Sequence, residues 1–173
     1  LDNPLAILST SLTSLNLEAG LFLASLAALI IQQRQKLNFW QLVDGLSPLL
    51  AVTMIAVALS NAASGNAFGS ATTLPWGVEL WGARRHPIQI YEALAAAAIL
   101  WLVWPRSIQK WFAGERFLKW VIASAAARVF FEAFRGQTAV LTGNLRLAQV
   151  IAAIVLFVGL YEWHRRDREV PLA

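Results

Sequence analysis

Two arginines and a glutamate are spaced along one apolar stretch of the sequence in a way that could bind an anion. Arg128, Glu132 and Arg135 stand at positions i, i+4 and i+7, so on a helix they fall within about 60° of one another on one face. One interpretation is a neutralised ladder in which Arg128 pairs with Glu132. We favour a cationic site for an anionic headgroup, because two guanidinium groups exceed what one carboxylate can neutralise.

A second polar cluster opens the apolar stretch before it. His86, Gln89 and Glu92 stand at i, i+3 and i+6, which is roughly one face of a helix. The N-terminus of a helix favours anions through its free N–H groups and its dipole. The alternative is an ordinary polar helix start with Tyr91 as an interface anchor. Glu92 is in addition an expected ion-pair partner for one of the two arginines.

Three further polar residues stand alone in other apolar stretches. Glu18 either reaches the membrane interface or faces the interior as an acid, a base or a salt-bridge partner. Asp44 is predicted to cap the start of its own helix, where carboxylates are favoured. Gln149 is predicted to hydrogen-bond across helices, as a buried amide requires.

The composition indicates what kind of scaffold positions these residues. Of the 173 residues, 58% are hydrophobic and 14% are charged, whereas an ordinary soluble domain has roughly 45–50% apolar and about 25% charged residues. The mean hydropathy is +0.56. These values exclude a simple cytosolic domain and a disordered chain. The remaining class is an integral membrane protein.

Some residue types are scarce or missing, and this limits the possible chemistry. The sequence contains no cysteine, which excludes a disulfide framework, a thiolate zinc site and a thiol nucleophile. His86 and His164 lie far apart in the sequence, so we predict no metal. In a membrane protein, a formal net charge of +4 is explained first by the basic residues that set the membrane topology and by contacts with anionic lipid, and only second by nucleic-acid binding. We therefore expect membrane lipids, and not nucleic acid, as partners.

A bilayer-crossing helix needs about 20 mostly apolar residues. The glycine-rich segment Ser60–Pro87 is predicted to be a long outer loop and not a helix, and Leu5–Leu17 a surface or re-entrant segment. Pro48 lies near the start of the second span, where a missing N–H is tolerated. The sequence predicts an all-α, polytopic membrane helix bundle, one transmembrane domain over residues 1–173, with five spans at about 15–31, 42–59, 88–104, 117–134 and 145–163.

The lysines and arginines indicate the orientation of such a bundle. Five crossings put the two termini on opposite sides, and cytoplasmic connections carry the excess of basic residues. The N-terminus is therefore predicted outside and the C-terminus in the cytoplasm. The connections assigned to the cytoplasmic side hold most of the basic residues, namely Arg34, Lys36, Arg106, Lys110, Arg116, Lys119, Arg165, Arg166 and Arg168.

Four motifs resemble those of a known family. Arg85–Glu92 resembles the motif R-H-P-x-Q-L-Y-E, Arg128–Arg135 resembles F-R-x-x-x-E-x-x-R, and Asp44–Pro48 resembles D-x-x-x-P. The segment Asn61–Gly77 is similar to the signature G-R-x-G-N-F-x-N-G-E-x-x-G and the L-P-W that follows it. In this order and spacing, over about Glu18–Glu162, the motifs resemble those of the bacterial prolipoprotein diacylglyceryl transferases.

The resemblance implies a chemistry and a set of residues. The family moves a diacylglyceryl group from phosphatidylglycerol onto the lipobox cysteine of a lipoprotein precursor, in the bacterial inner (plasma) membrane and without a cofactor. Such a transfer needs a base for the thiol and cations for the departing glycerol phosphate. The resemblance implies Arg128 as phosphate clamp and catalytic candidate, and as lipid-binding residues Arg128, Glu132, Arg135, His86, Gln89, Glu92, Asn61 and Gly69.

The departures from the family pattern lower the expected activity. The resemblance implies seven spans in family members, and we expect the first two to be absent here. The position of the family's catalytic arginine reads Ala58, its glutamate reads Asn66, and its histidine, thought to act as base, reads Glu18.

We therefore expect a catalytically impaired member, a pseudoenzyme that binds a phosphatidylglycerol-like headgroup and serves as an accessory subunit of a membrane complex. The alternative is an active transferase with lipoprotein precursors as substrates, in which Glu18 is the base and Arg128 the phosphate clamp. A small transporter is a weaker third interpretation, because the ionisable residues cluster at the outer face and line no continuous path.

Overall fold

The computed structural model describes residues 17–36, 38–105, 112–136 and 146–168, which are mostly helical, as predicted. The chain divides into two compact units, Leu1–Leu42 and Val43–Ala173. Each predicted span overlaps one helix, whereas the short sheet was not predicted. The elements in chain order are α1 (Leu17–Gln35), α2 (Phe39–Ser64), β1 (Val78–Leu80), β2 (Ala83–Arg85), α3 (Ile88–Val103), α4 (Glu115–Glu132) and α5 (Leu147–Asp167).

The first unit contains α1 and the first turn of α2. α2 begins at Phe39 because Asn38 and Gln41 cap it reciprocally. The Asn38 side-chain oxygen accepts a hydrogen bond from the Gln41 backbone N–H at 2.8 Å, and the Gln41 side-chain oxygen accepts one from the Asn38 N–H at 3.1 Å. This capping box starts the helix before the predicted residue 42. The predicted re-entrant segment lies, up to residue 16, outside the described residues.

The proline of α2 lies well inside the helix and not near its start as predicted. A proline has no N–H, so Pro48 donates no helical hydrogen bond to the carbonyl of Asp44. The preceding residue, Ser47, is buried, and its hydroxyl donates to the Val43 carbonyl at 2.8 Å. The serine thereby satisfies its own polar group within the turn that the proline disrupts.

The predicted loop between the second and third spans begins later than predicted and is more regular. α2 continues to Ser64, since the alanines after residue 61 favour a helix, and it ends at Gly65, which has a φ of +68°. β1 and β2 then form an antiparallel hairpin with a two-residue turn. The turn residues Trp81 and Gly82 have φ values of +55° and +72°, as a type I′ turn requires.

Asp44 caps a different helix from the one predicted. Its carboxylate accepts hydrogen bonds from the backbone N–H groups of Gly114 at 2.7 Å and Phe117 at 3.0 Å. These groups belong to the N-terminal turn of α4, where they have no helical acceptor. The prediction that Asp44 caps α2 was wrong, because Asn38 already serves that end and the α4 N-terminus lies within reach of the carboxylate.

The helices of the second unit pack around α4, which contacts both α3 and α5. Ala51 of α2 and Ile99 of α3 lie in the core, with Trp120 of α4 packed against them. The Gln149 side chain on α5 donates to the Val129 carbonyl on α4 at 3.2 Å, which confirms the predicted hydrogen bond between helices. Small and aliphatic side chains thus hold α2, α3 and α4 together near the middle of the unit.

Two of the described helices, α2 and α5, are long and apolar enough to cross a membrane, judged by length and composition, and α3 is apolar but shorter. The start of α2 contacts the start of α4 through Asp44. Side chains at the end of α2, the start of α3 and the end of α4 line one cavity. Consecutive helices of the second unit therefore run in alternating directions.

Candidate functional site

The charged residues at the end of α4 form an ion-pair cluster. Glu132 is fully buried, and its Oε2 lies 3.1 Å from Nε of Arg128 and 3.7 Å from Nε of Arg135. The predicted proximity of these three side chains is confirmed, although Arg135 stands just beyond the last residue of α4. A buried carboxylate requires such partners, because an unpaired charge in this environment would be strongly destabilising.

Glu92 of α3 completes the cluster. Its Oε1 lies 2.5 Å from Nη2 of Arg135 and 3.9 Å from Nη1 of Arg128, which confirms the predicted pairing. Two carboxylates therefore face two guanidinium groups, and the expected excess of positive charge is absent from these four residues. Arg128 nevertheless keeps 41% of its side chain exposed, whereas Arg135 keeps 14%. Arg128 is the member of the cluster best placed to meet a ligand.

Arg146 supports the cluster from behind, a role that the sequence did not indicate. Its Nη1 donates to the Glu132 carbonyl and, at 3.1 Å, to the Arg135 carbonyl. The last carbonyls of a helix lack helical donors, and cations are favoured at that end. One signal in the sequence could have indicated this role. Arg146 directly precedes α5, and the start of α5 must lie near the end of α4 because few residues connect the two helices.

The loop between α2 and α3 fixes the backbone around Arg135. Gly69 and Arg135 form an antiparallel bridge, and the Ser70 N–H donates to the Phe134 carbonyl at 2.7 Å. A side chain at Gly69 would place its Cβ 2.7 Å from Cβ of His86 and 2.9 Å from Cγ1 of Ile88. Only glycine allows this close approach. Gly69 therefore contributes to the site by positioning the loop and not by offering a side chain.

A cavity of about 420 Å³ opens beside the cluster, within the size range of small-molecule sites. Its α4 and α3 wall carries the guanidinium groups and Glu92. Its α2 wall carries no charge, and Ala58 stands there, almost fully buried. The lining residues are Thr53, Met54, Val57, Ala58, Asn61, Glu92, Ala95, Ser124, Ala127, Arg128, Phe131 and Arg135.

His86 and Gln89 lie at a different place from the one that their spacing suggested. Both line a smaller cavity of about 210 Å³ next to the hairpin. The Gln89 side chain is buried and donates to the Asn66 carbonyl at 2.8 Å, and the His86 ring packs edge-on against Phe134 at 5.4 Å. His86 precedes the first residue of α3, so helical spacing does not apply to it. These side chains hold the loop against the helix ends.

The predicted base, Glu18, belongs to α1 in the first unit, and its side chain lies outside the described part of the structure. Its role stays a prediction. Within the described ranges, no group of three or more histidine, cysteine, aspartate or glutamate side chains could hold a metal ion. The polar side chains that line the cavity carry arginine, carboxylate, amide and hydroxyl groups.

The described residues thus define a helical protein in which an arginine stands beside a largely apolar cavity and two helices have the length and apolarity of membrane spans. The family model for prolipoprotein diacylglyceryl transferase matches residues 1–164. The chain belongs to this family.

Individual relatives agree with the family match. A phosphatidylglycerol–prolipoprotein diacylglyceryl transferase of Acaryochloris marina is 31% identical over 151 residues, covering 78% of this chain and 53% of the relative. One of Solidesulfovibrio magneticus is 31% identical over 177 residues, covering 96% of this chain and 66% of the relative. One of Campylobacter curvus is 30% identical over 140 residues. The chain thus spans about half to two thirds of the length of these relatives.

Proposed function

We propose that this chain is a multi-pass protein of the bacterial inner membrane that binds the headgroup of an anionic phospholipid, such as phosphatidylglycerol, and that is impaired in diacylglyceryl transfer. The observation that carries the proposal is the half-exposed guanidinium group of Arg128. It stands on the wall of a ligand-sized cavity that Ala58 of α2 also lines, at the position where the resemblance to the family implies an arginine.

The helices support the proposed membrane placement. The alternating directions of α2 to α5 suit successive crossings, and α2 and α5 have the length and apolarity that a crossing requires. We propose five crossings, with α1, α3 and α4 as the others, the N-terminus outside and the C-terminus in the cytoplasm. The basic residues near the end of α5, His164, Arg165 and Arg166, suit a cytoplasmic end.

Headgroup binding is supported by the geometry of the cluster. Glu132 and Glu92 neutralise the two arginines and hold Arg128 at the cavity wall. A phosphate entering the cavity would add one negative charge to a cluster whose formal charges balance, and would receive charge-assisted hydrogen bonds from guanidinium N–H groups. The apolar residues of the α2 wall, Met54 and Val57 among them, suit the glycerol and acyl portions of the same lipid.

Impaired transfer is supported by the opposite wall of the cavity. A single preorganised donor that stabilises developing charge commonly contributes about 10²–10³ in rate. Ala58 offers neither charge nor hydrogen bond, and the neighbouring side chains Val57 and Met54 offer no replacement cation. A protein that holds the lipid without transferring it suits an accessory subunit in a larger membrane complex, with other membrane proteins as partners.

An active transferase is the second candidate, and one observation favours it. The side chains of Arg128, Glu132, Arg135 and Glu92 lie within ion-pair distance of one another, and the relatives that carry the transferase name are about 30% identical. In that case phosphatidylglycerol would be the donor and a lipobox cysteine the acceptor. Glu18 would have to take the proton of the thiol.

A transfer assay distinguishes the two candidates. The purified chain in vesicles containing phosphatidylglycerol with labelled acyl chains is incubated with a lipobox peptide, and label on the peptide is measured. We expect no label above the level of protein-free vesicles. Turnover that Arg128→Ala abolishes, and that Arg84→Ala on the exposed hairpin leaves intact, would establish the active transferase. Co-purification of other membrane proteins at fixed stoichiometry tests the accessory role separately, and a stable monomer in detergent would contradict it.

A further inference from the structure

We propose that the β1–β2 hairpin and the tryptophan that precedes it form an anchor that rests in the lipid interface of the outer leaflet. The inference depends on the membrane placement proposed above and adds a contact that headgroup binding in the cavity does not require. Two exposed indole rings, those of Trp76 and Trp81, are the contacting groups.

Trp81 is held outward at the tip of the hairpin. Its φ of +55° lies in a region that residues other than glycine rarely adopt, and the residue is 66% exposed. The indole N–H donates to the Gly65 carbonyl at 3.1 Å. Because the only polar atom of the ring is bonded within the protein, the surface that the ring exposes is apolar.

Trp76 is also an exposed tryptophan whose indole N–H is bonded within the protein. Its indole N–H donates to the Tyr91 hydroxyl at 2.8 Å, and the residue is 58% exposed. Tyr91 lies in the first turn of α3, and Gly65 directly follows the last residue of α2. Each ring is therefore tied to the outer end of an apolar helix, and its depth relative to the bilayer is set by that helix.

Because both indole rings are attached to the ends of apolar helices, we infer that lipid contacts their exposed surfaces. Tryptophan is enriched at the boundary between headgroups and acyl chains, where an apolar ring leaves water without entering the core. The exposed charges of the hairpin, Glu79 and Arg84, pair with each other at 3.5 Å. The hairpin thus presents an apolar tip beside a neutralised polar strand, at the level where two apolar helices end.

Single-cysteine labelling tests the anchor directly, because the sequence contains no cysteine. Trp81→Cys and Trp76→Cys are labelled with a nitroxide in vesicles of phosphatidylglycerol and phosphatidylcholine, and collision with oxygen is compared with collision with a water-soluble nickel chelate. Glu79→Cys on the same hairpin is the matched aqueous control. Leu94→Cys, at a 66% exposed position within α3, reports whether the helix lies in the bilayer. Retained helicity in detergent shows that each variant is folded.

We expect labels at 76 and 81 to favour oxygen over the nickel chelate at least threefold more than the label at 79. Equal chelate accessibility at 76, 79 and 81, with the label at 94 in the bilayer, would overturn the anchor while leaving the membrane placement intact. Chelate accessibility at 94 as well would overturn both. If one tryptophan variant does not fold, the other gives the same test.

Discussion

The two walls of the cavity differ in how their residues are held. On the α4 side, Arg128 and Arg135 share Glu132 and Glu92, and Arg146 donates to the carbonyls at the end of the same helix. On the α2 side, Ala58 lies packed and neutral. Charged side chains that neutralise one another also stabilise the fold, so the loss of any one of them is expected to lower the free energy of unfolding. Ala58 carries no charge that needs a partner, so the α2 wall is held by packing alone.

The largest expected effect comes from disrupting the ion-pair cluster on the α4 side of the cavity. Glu132→Ala leaves two arginines with only Glu92, and removing one partner of a buried ion pair typically costs about 3–5 kcal/mol. We expect a pronounced fall in the apparent thermal unfolding temperature in detergent. The matched control is Glu79→Ala, which breaks an exposed pair and changes stability by no more than about 1 kcal/mol. Equal effects of the two variants would show that the cluster is not structural.

A positive charge added to the α2 wall should strengthen the binding of phosphatidylglycerol. Ala58→Arg places a third guanidinium on the cavity wall, and a hydrogen bond to a charged group is worth about 1.5–3 kcal/mol. We expect phosphatidylglycerol to bind roughly tenfold more tightly or better, measured by titration of the protein in nanodiscs. Ala58→Gln, which is polar but neutral, serves as the control. No difference between the two variants would mean that the headgroup does not reach this wall.

A substitution at the N-terminal end of α4, away from the cavity, should lower stability without changing lipid binding. Asp44→Ala removes the acceptor for the Gly114 and Phe117 N–H groups, and loss of a helix N-cap costs about 0.5–2 kcal/mol. We expect lower thermal stability with unchanged preference for phosphatidylglycerol. Asp44→Asn keeps a capping oxygen and should lose less. A loss of lipid preference in Asp44→Asn would show that the two ends of α4 are coupled.

The smallest expected effect is at the contact between α4 and α5. Gln149→Leu removes the hydrogen bond to the Val129 carbonyl, and hydrogen bonds between membrane helices average about 0.6 kcal/mol. We expect a small decrease in thermal stability and no change in lipid binding. A decrease as large as that of Glu132→Ala would mean that Gln149 supports the ion-pair cluster as well as the helix contact.

The sequence predicted the helices and the ion pairs better than the positions of the loop residues. Helical spacing was sufficient to bring Arg128 and Glu132 together, and charge complementarity was sufficient to assign Glu92 to them, whereas Arg135 joins them from the turn that follows α4. Spacing was misleading for His86, because that residue stands before α3 begins and its ring packs on Phe134.

Contacts between elements distant in the sequence could not be predicted in the same way. Asp44 caps α4 across 70 residues of chain, and Arg146 reaches the end of α4 only after the chain has turned back. The hairpin was missed because its turn is Trp81-Gly82 and not one of the usual Asn-Gly or Asp-Gly pairs. A tryptophan with positive φ gives no local signal for a turn.

The central claim is that Arg128 holds an anionic phospholipid headgroup in the cavity. Native mass spectrometry of the protein released from membranes of equal phosphatidylglycerol and phosphatidylcholine content measures this directly, with wild type, Arg128→Lys and Arg128→Gln compared. The account predicts preferential retention of phosphatidylglycerol by wild type, partial retention by Arg128→Lys and no preference in a folded Arg128→Gln variant. Equal retention of the two lipids by wild type, or an unchanged preference in Arg128→Gln, would contradict it.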